Sequence, residues 1–435
     1  MKKTRHAVQL AFLALTLGAV YLVGANAERW CPFGGVEALY TYAREGNMIC
    51  SLGTSNFYIL GGVVLMTLLA RRAFCSYLCP IGAISEWLRG LARRLGVPEL
   101  RVSGAADRVL GLLKYGVLGV ILYFTWRAGE LLFRGFDPCY ALISRHGADI
   151  SFWAYVVAGT IAVASLFVTL PFCRWFCPFA AVLHPFSAVG LGRIRRDEAA
   201  CTACRACAKA CPMAIPVDRL VQVTVPRCTS CMNCVDACPS ADRGALWWGP
   251  AAPRSWKWSQ AALIAILLFC ATGAVAASYV FPMPSFVKTR GTPPEQPATV
   301  ELRMSNVHCR GRANYLFYFL NRDDELRLPG YLKVEAWPGP GTADVRITYD
   351  PAKTDEEAIK QAITELYYND FHKRLEHSPF QIEGYDPLGL GRPGLDLDGD
   401  PDAGLDFLGG DLPPMPAPPQ GKPSEAQRPG MGPGE

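Results

Sequence analysis

Apolar residues along the chain are concentrated in five blocks, separated by segments that are polar, basic or rich in glycine and proline. The blocks cover residues 7–25, 56–70, 109–126, 152–172 and 260–281. A helix needs about 20 apolar residues to cross a bilayer, and the second block reaches that length by extending into its flanks. The pattern predicts an α-helical transmembrane bundle of about five helices. The first block also has features of a signal peptide, but its apolar part is longer than usual for one, which favours a retained anchor.

The pattern changes after the fifth block. Residues 282–298 are rich in proline and predict a linker. Residues 299–387 alternate strand and helix periodicity in the order strand, helix, strand, strand, helix, strand. This order predicts an α+β domain of the ferredoxin-like βαββαβ kind, with no iron implied. Residues 388–435 are dominated by glycine, proline and aspartate, which predicts a disordered tail.

The composition indicates a membrane protein with soluble parts. Of the 435 residues, 51% are hydrophobic and 19% are charged, and the mean hydropathy is +0.15. Soluble chains carry about 25% charged residues. The net charge is +5, and the basic residues cluster at the ends of the apolar blocks. This distribution concerns membrane orientation and contact with lipid, and it gives no case for nucleic acid as a partner.

The distribution of lysine and arginine predicts the orientation. Basic residues cluster before the first block, after the second and fourth blocks, and before the fifth. The positive-inside rule places these segments in the cytoplasm. We therefore predict a multi-pass protein of the cytoplasmic (inner) membrane. The segment 194–250 would be cytoplasmic, a fifth helix at 259–281 would cross, and the domain at 299–387 would be periplasmic.

Two cysteine runs lie between the fourth and fifth blocks. Residues 201–212 and 228–239 each follow the pattern C-x2-C-x2-C-x3-C-P, the bacterial ferredoxin spacing for [4Fe–4S] ligation. The first three cysteines of such a run bind one cluster, and the fourth binds the other. Residues 194–250 are therefore predicted to be a ferredoxin domain with two [4Fe–4S] clusters. The predicted ligand sets are Cys201, Cys204, Cys207 and Cys238 for one cluster, and Cys228, Cys231, Cys234 and Cys211 for the other. A structural zinc site is the alternative, but zinc prefers C-x2-C pairs that total four ligands.

Residues 1–193 contain a duplicated four-helix unit. Cys75 and Cys79 close its first half in a C-x3-C-P motif, and Cys173 and Cys177 close its second half about 100 residues later. Cysteines four apart share one face of a helix. The four thiols would then form an additional metal or cluster site at the inner membrane edge, or a thiol pair coupled to quinone. The alternative is that they are packed, inert thiols.

Cys31 and Cys139 stand beside prolines on the predicted outer side of each half. Unpaired thiols are unusual in an oxidising compartment, so a Cys31–Cys139 disulfide is the simplest interpretation. The alternative is an outer metal or redox station that delivers electrons across the bilayer. Haem and nucleotide have no support. No histidine lies in the middle of an apolar block, and the chain has no C-x-x-C-H motif and no glycine-rich phosphate loop.

The two C-x3-C-P closures and the double-cluster run together resemble the NapH/NosR/CcoG group of membrane-bound polyferredoxins, and are most similar to NapH-like members with an extra outer domain. The resemblance covers residues 5–281. It implies an electron-transfer subunit of an oxidoreductase system rather than a stand-alone enzyme. Such a subunit relays electrons between the quinone pool or a cytoplasmic donor and a partner oxidoreductase. The alternative that it implies is a CcoG-like membrane metal reductase or assembly factor for a respiratory metalloenzyme.

The outer domain resembles the heavy-metal-associated fold. Residues 304–312 stand where that fold carries its metal-binding C-x-x-C loop, and Arg312 occupies the position of the second cysteine. His308 and Cys309 still offer two ligands, which predicts a weak metal site. The alternative is a docking or spacer domain with a vestigial loop.

Overall fold

The computed structural model describes most of the chain. The described residues are 2–24, 27–46, 48–49, 52–100, 102, 104–128, 131, 134–143, 151–251, 256–307, 310–322, 326–338, 342–369 and 374–385. The predicted disordered tail at 388–435 lies outside them, and so do the predicted weak ligands His308 and Cys309.

The first half of the helical region consists of five helices: α1 (Lys2–Tyr21), α2 (Pro32–Glu45), α3 (Ser55–Ala70), α4 (Ala73–Tyr77) and α5 (Pro80–Arg94). Both α2 and α5 begin at a proline that follows a cysteine. Proline suits the first position of a helix because the first turn leaves its N–H groups unbonded in any case. The C-x3-C-P motif therefore ends the short α4 and starts the amphipathic α5.

The second half is built in the same way. It contains α6 (Gly104–Leu110), α7 (Leu113–Ala128), α8 (Pro138–Ile143), α9 (Phe152–Phe167) and α10 (Pro178–Ala188), with a π-helical turn at Phe172–Phe176 before α10. That turn carries Cys173, and α10 begins at the proline after Cys177. The second C-x3-C-P motif thus links a short turn to a longer helix, as the first one does.

Within the described part of the chain, two helical segments are long and apolar enough to cross a membrane, Gly104–Ala128 and Gln260–Val280. The second of these is α13, and Ser259 caps its first turn by accepting a hydrogen bond from Ala262 N–H. The helices α3 and α9 are apolar but have 16 residues each. The predicted bundle of about five spanning helices stays a prediction.

Residues 193–249 form a small unit between α10 and α13. Its strands β1 (Arg193–Arg196) and β2 (Leu246–Gly249) pair antiparallel, with Ile194 opposite Trp248. Between them lie the two cysteine loops, each followed by a short helix, α11 (Ala206–Lys209) or α12 (Asn233–Asp236). Buried side chains of this unit share one apolar core with Ala70, Tyr77 and Leu267 of the helical region. The cysteine loops are therefore packed against the helices.

The C-terminal part is an antiparallel sheet with two helices, α14 (Arg310–Phe319) and α15 (Glu356–Thr364). Apolar side chains alternate along its strands, and Val334 and Ile347 are fully buried between sheet and helices. The sheet order is β3-β5-β6-β4-β9. The strands are β3 (Phe286–Arg290), β4 (Ala298–Ser305), β5 (Leu332–Trp337), β6 (Thr342–Tyr349) and β9 (Gln381–Ile382), and β7 (Tyr367–Asn369) and β8 (Arg374–Glu376) form a separate hairpin.

The prediction of a linker over residues 282–298 is wrong for the part that forms β3. Phe286 is fully buried, and the β-branched residues that follow suit a strand at the edge of a sheet. The N–H of Val287 donates to the Gly46 carbonyl at 2.9 Å, and the N–H of Met48 donates to the Ser285 carbonyl at 2.9 Å. The segment fixes the sheet against the loop between α2 and α3, so it does not act as a free tether.

Candidate iron–sulfur centre

The two cysteine runs surround two separate cavities. One cavity is lined by Cys201, Cys204, Cys207 and Cys238. The other is lined by Cys228, Cys231, Cys234 and Cys211. Each holds about 340 Å³ of empty space, part of it open to solvent. The structure thus brings together three cysteines from one run with the fourth cysteine of the other, in the two groupings that the spacing predicts.

Each loop holds its middle cysteine between two residues with left-handed backbone. These residues are Ala203, Arg205, Ser230 and Met232, with φ between 46° and 62°. The left-handed region costs a residue with a Cβ roughly 1–2 kcal/mol. Strain of this kind persists where the surrounding structure or a ligand requires it. Both loops have left-handed residues at equivalent positions. Such turns direct successive backbone N–H groups toward one point and so form a binding site for negative charge.

Backbone N–H groups are directed at the cysteine sulfurs. The N–H of Ile215 donates to Sγ of Cys211 at 3.5 Å. The N–H of Ala206 donates to the thiol of Cys204 and lowers the pKa of that exposed group. Burial raises the pKa of Cys211 to about 12, although a metal ion that binds such a thiol removes its proton. N–H donors of this kind stabilise thiolate ligands and set the reduction potential of a bound cluster.

The donor set fits an iron–sulfur cluster. The hydroxyls of Thr229 and Ser230 are buried without a hydrogen-bond partner in the described part of the chain, and both residues line the second cavity. A buried unbonded hydroxyl costs about 1–3 kcal/mol, and the sulfide ions of a cluster accept hydrogen bonds. Among the described residues, no three His, Cys, Asp or Glu side chains are placed to hold one metal ion. Thiols arranged around a cavity suit a cluster better than the zinc alternative.

Three buried arginines connect the helical region to the second cysteine loop. Arg5, Arg71 and Arg72 have at most 1% of their surface exposed. Their guanidinium groups donate to the carbonyls of Cys231, Val225 and Arg227 respectively, each at 3.0 Å. Arg71 also interacts electrostatically with the thiol of Cys228. The second cavity therefore lies close to fixed positive charge, which favours the reduced, more negative state of a bound cluster.

A buried carboxylate completes this connection. Asp107 accepts hydrogen bonds from Arg174 Nη2 and Arg227 Nη1, both at 2.5 Å, and from Trp175 Nε1 at 2.8 Å. Arg227 directly precedes Cys228, and Arg174 lies inside the second C-x3-C-P motif. Asp107 belongs to none of the cysteine motifs of the sequence. Its position beside an apolar block is the sequence feature that indicates a structural role, because a charged side chain there needs an oppositely charged partner.

The C-x3-C-P cysteines lie together in the helical region. Cys75 and Cys177 belong to one apolar cluster that joins the two halves. The thiol of Cys173 interacts electrostatically with those of Cys75, Cys79 and Cys177. The structure therefore brings these four predicted residues together. Cys31 and Cys139 are free thiols in the structure, and the disulfide between them stays a prediction.

Comparisons with known proteins agree with the cysteine chemistry. A family described as "4Fe-4S binding domain" matches twice, at residues 52–98 and 150–196, and a family described as "4Fe-4S dicluster domain" matches residues 193–239. The two matches of the first family contain one C-x3-C-P motif each. No solved structure matches the chain.

Several curated proteins are similar to the same region. YccM of Escherichia coli (strain K12) is 30% identical over 45% of this chain and 56% of its own length. "Regulatory protein NosR" of Pseudomonas aeruginosa is 32% identical over 34% of this chain and 21% of its own length. "Ferredoxin-type protein NapH" of Haemophilus influenzae is 28% identical over 35% of this chain and 51% of its own length. The chain thus spans about half or less of the length of these relatives.

The cysteine loops and the family matches indicate an iron–sulfur protein. Over its helical and cysteine-run segments the chain is similar to polyferredoxins of the NapH/NosR type.

Proposed function

We propose that this chain is a membrane-anchored electron-transfer protein that holds two [4Fe–4S] clusters. It would relay single electrons between the quinone pool or a cytoplasmic donor and a partner oxidoreductase. The observation that carries the proposal is the grouping of the cysteines, because each cavity is lined by three cysteines of one run and the fourth of the other. The clusters would supply one-electron redox chemistry, and the loops would hold them by thiolate ligation and N–H···S bonds.

The two clusters would have different roles. Cys204 is exposed, so the cluster bound by Cys201, Cys204, Cys207 and Cys238 is open to a soluble partner. The other cluster adjoins Arg71, whose positive charge raises a reduction potential. Arg196 likewise interacts with Cys201 of the exposed cluster, so the order of the two clusters rests on exposure. Electrons that arrive at Cys204 would pass next to the cluster beside the helical region. Quinone is our candidate for the carrier within the membrane.

The contacts at the two ends of α3 support the proposed membrane orientation. Arg71 and Arg72, after its last turn, hydrogen-bond the ferredoxin segment. Thr54, before its first turn, donates through Oγ1 to the Met283 carbonyl, next to the C-terminal sheet. A spanning α3 would place the two domains on opposite sides, with the clusters in the reducing cytoplasm. Alkaline phosphatase needs an oxidising compartment, so a fusion after Tyr385 should be active and a fusion after Trp248 should be inactive. The opposite result would reverse the orientation.

The ligand sets can be tested by paired substitutions in the full-length protein. Cys201→Ala and Cys238→Ala should alter the same electron paramagnetic resonance signal, and Cys228→Ala should alter a different one. Each should lower the iron content by up to about four atoms per chain. Cys270→Ala, which removes a buried thiol of α13, should change neither signal. If Cys238→Ala and Cys228→Ala instead alter one common signal, each run binds its own cluster and the proposed sets are wrong.

A further inference from the structure

We propose that Lys114, Tyr115 and His184 form a binding site for the head group of a quinone, on a surface of the helical region that would face lipid. The inference rests on the proposed function and deepens it, because it names the residues at which the membrane carrier exchanges electrons with the ferredoxin segment. Lys114 and Tyr115 lie on α7, which packs against α10, the helix that carries His184.

A buried lysine lies within the segment Gly104–Ala128, which is long and apolar enough to cross a membrane. Lys114 is 4% exposed, whereas Leu112 and Leu113 before it are exposed. Among the described residues its ammonium group has no hydrogen bond and no ion pair, and Nζ lies 5.5 Å from the ring centroid of Tyr115. An ionisable side chain inside a spanning helix is costly, and it is the usual sign of a functional site.

A hydroxyl group and an imidazole ring lie beside this lysine. Tyr115 Oη and His184 Nδ1 are hydrogen-bonded, and the two ring centroids are 6.0 Å apart. Tyr115 is 41% exposed and His184 is half-buried. Burial and the nearby cations Lys114 and Arg72 lower the pKa of His184 to about 4, so its ring is neutral at pH 7. When the neutral ring accepts at Nδ1, Nε2 carries the proton and can donate a hydrogen bond to a ligand.

The chemistry of these groups selects the class of ligand. Acyl chains have no hydrogen-bond acceptor, so unsatisfied donors at a lipid-facing surface indicate an amphipathic ligand that dissolves in the membrane. A quinone head group is a flat apolar ring with two carbonyl oxygens. The Lys114 ammonium and the Nε2–H of His184 are donors for these oxygens, and the ring of Tyr115 offers an apolar face beside them.

The site adjoins the contact that anchors the second cysteine loop. Asp107, which is buried seven residues before Lys114, binds Arg227, the residue before Cys228. Lys114 and His184 both interact electrostatically with Arg227. A ligand at Lys114 would therefore lie close to the cluster bound by Cys228. This proximity favours a quinone over a phospholipid phosphate, which exchanges no electrons.

The redox step balances with the electron donor of the proposed function. Quinone takes two electrons, one at a time, from the cluster bound by Cys228, which the cytoplasmic donor reduces again through the cluster bound by Cys204. Two protons add to the carbonyl oxygens, so two O–H bonds form and quinone becomes quinol. One proton leaves the Lys114 ammonium. The other leaves His184 Nε2 while Nδ1 takes the proton of the Tyr115 hydroxyl, and water restores both.

The test uses the full-length protein in detergent and a benzoquinone that carries a decyl chain. The clusters are reduced with a limited amount of dithionite, and their reoxidation by the quinone is followed by visible absorption. The wild-type rate should saturate with quinone concentration. Lys114→Met should raise the half-saturating concentration at least about tenfold, because a hydrogen bond from a charged donor is lost.

A pair of tyrosine variants provides the matched comparison. Tyr115→Phe should also raise the half-saturating concentration, because without the hydroxyl the proton of His184 is no longer fixed at Nε2. Tyr123→Phe, which alters an exposed tyrosine of the same helix, should leave it unchanged. Ferricyanide, which reaches the exposed cluster from water, should oxidise all variants at the wild-type rate and so show that their clusters are intact.

Three results would overturn the inference. They are a wild-type rate that increases linearly with quinone concentration, an unchanged half-saturating concentration in Lys114→Met, and a phospholipid that copurifies with the wild type and is lost from Lys114→Met while the quinone kinetics stay the same. Photolabelling of the wild type with an azidoquinone needs no substitution. It should mark the peptides that contain Tyr115 or His184, and labelling only elsewhere would also refute the site. If dithionite produces no cluster signal in the wild type, the proposed function itself fails.

Discussion

Asp107 offers a direct test of how the ferredoxin segment is attached to the helices. Its carboxylate is 4% exposed and binds two guanidinium groups and one indole N–H. The substitution Asp107→Asn keeps the shape of the side chain and removes its charge. One acceptor oxygen becomes an NH₂ group, which would face a guanidinium donor of Arg227 or Arg174. One of the two arginine contacts is therefore lost and the other is weakened.

The size of the effect follows from burial. Removing one member of a buried ion pair costs about 3–5 kcal/mol. Because Arg227 is 26% exposed, water can solvate its guanidinium group after the ion pair is broken. We therefore expect a cost at the lower end of that range. Because Arg227 precedes Cys228, local opening at this contact exposes the second cysteine set. A cost of about 3 kcal/mol makes such opening roughly a hundredfold more frequent.

The assay is the rate at which the full-length protein in detergent releases iron to a chelator. Asp107→Asn should release the iron of one cluster roughly a hundredfold faster than the wild type, because opening at this contact is about a hundredfold more frequent. The control is Glu301→Gln, which breaks the exposed pair with Arg346 in the C-terminal domain and should leave the rate unchanged. If Asp107→Asn releases iron at the same rate as the control, the carboxylate does not hold the ferredoxin segment in place.

Three further predictions concern the cluster loops and their packing. Because Cys204 is exposed, a chelator should remove iron in two phases, and the cluster bound by Cys204 should lose its iron first. A single phase would contradict an unequal exposure of the two clusters. Ala203 has φ 54°, where a β-branched side chain is strongly disfavoured, so Ala203→Val should lower iron occupancy, whereas Ala203→Gly, which removes the cost of a Cβ, should retain it. Equal occupancy of the two variants would mean that the loop is not left-handed at this residue. A Cβ on Gly192 would lie 2.8 Å from a carbon of Trp248, so Gly192→Ala should lower the free energy of unfolding by about 1–3 kcal/mol in thermal unfolding. A Cβ on Gly90 would have nothing within 4 Å, so Gly90→Ala should not destabilise the protein.

The cysteine sets could be predicted from the sequence because the residues that define each run are close to one another in sequence. The spacing within one run fixes which sulfurs face the same point, and the proline after the fourth cysteine ends its turn. The exchange of the fourth cysteine between runs follows from the known geometry of such loops. The structure brings Cys238 to the Cys201 loop and Cys211 to the Cys228 loop, and cluster binding by these groups stays a prediction.

The role of the arginines could not be predicted in the same way. By the positive-inside rule, Arg5, Arg71 and Arg72 are expected to face the cytoplasmic lipid surface. In the structure they are buried, and two of them bond carbonyls about 150 residues away in sequence. A residue count does not distinguish a guanidinium in water from one inside the protein. Lys2 and Lys3 are exposed, so they still count as basic residues for the positive-inside rule.

The strand β3 was missed for a related reason. Prolines at positions 282, 284, 293 and 294 surround it and indicate a linker when the sequence is considered alone. Its pairing with β5 and its contact with the loop after α2 depend on distant residues. Proline is tolerated beside an edge strand, where one side of the backbone is not part of the sheet.

The buried arginines also constrain the order of biogenesis. When the ribosome has completed α5, Arg5, Arg71 and Arg72 are already present, but the carbonyls that they bond, in residues 225–231, have not been synthesised. Until then these charges must stay in water or among lipid headgroups, because an unpaired guanidinium is costly in a dry interior. The helical region therefore reaches its final packing only after the cysteine loops emerge. We expect a chain truncated after residue 200 to be degraded faster than the full chain in a pulse-chase experiment, and equal lifetimes would show that the helices mature independently.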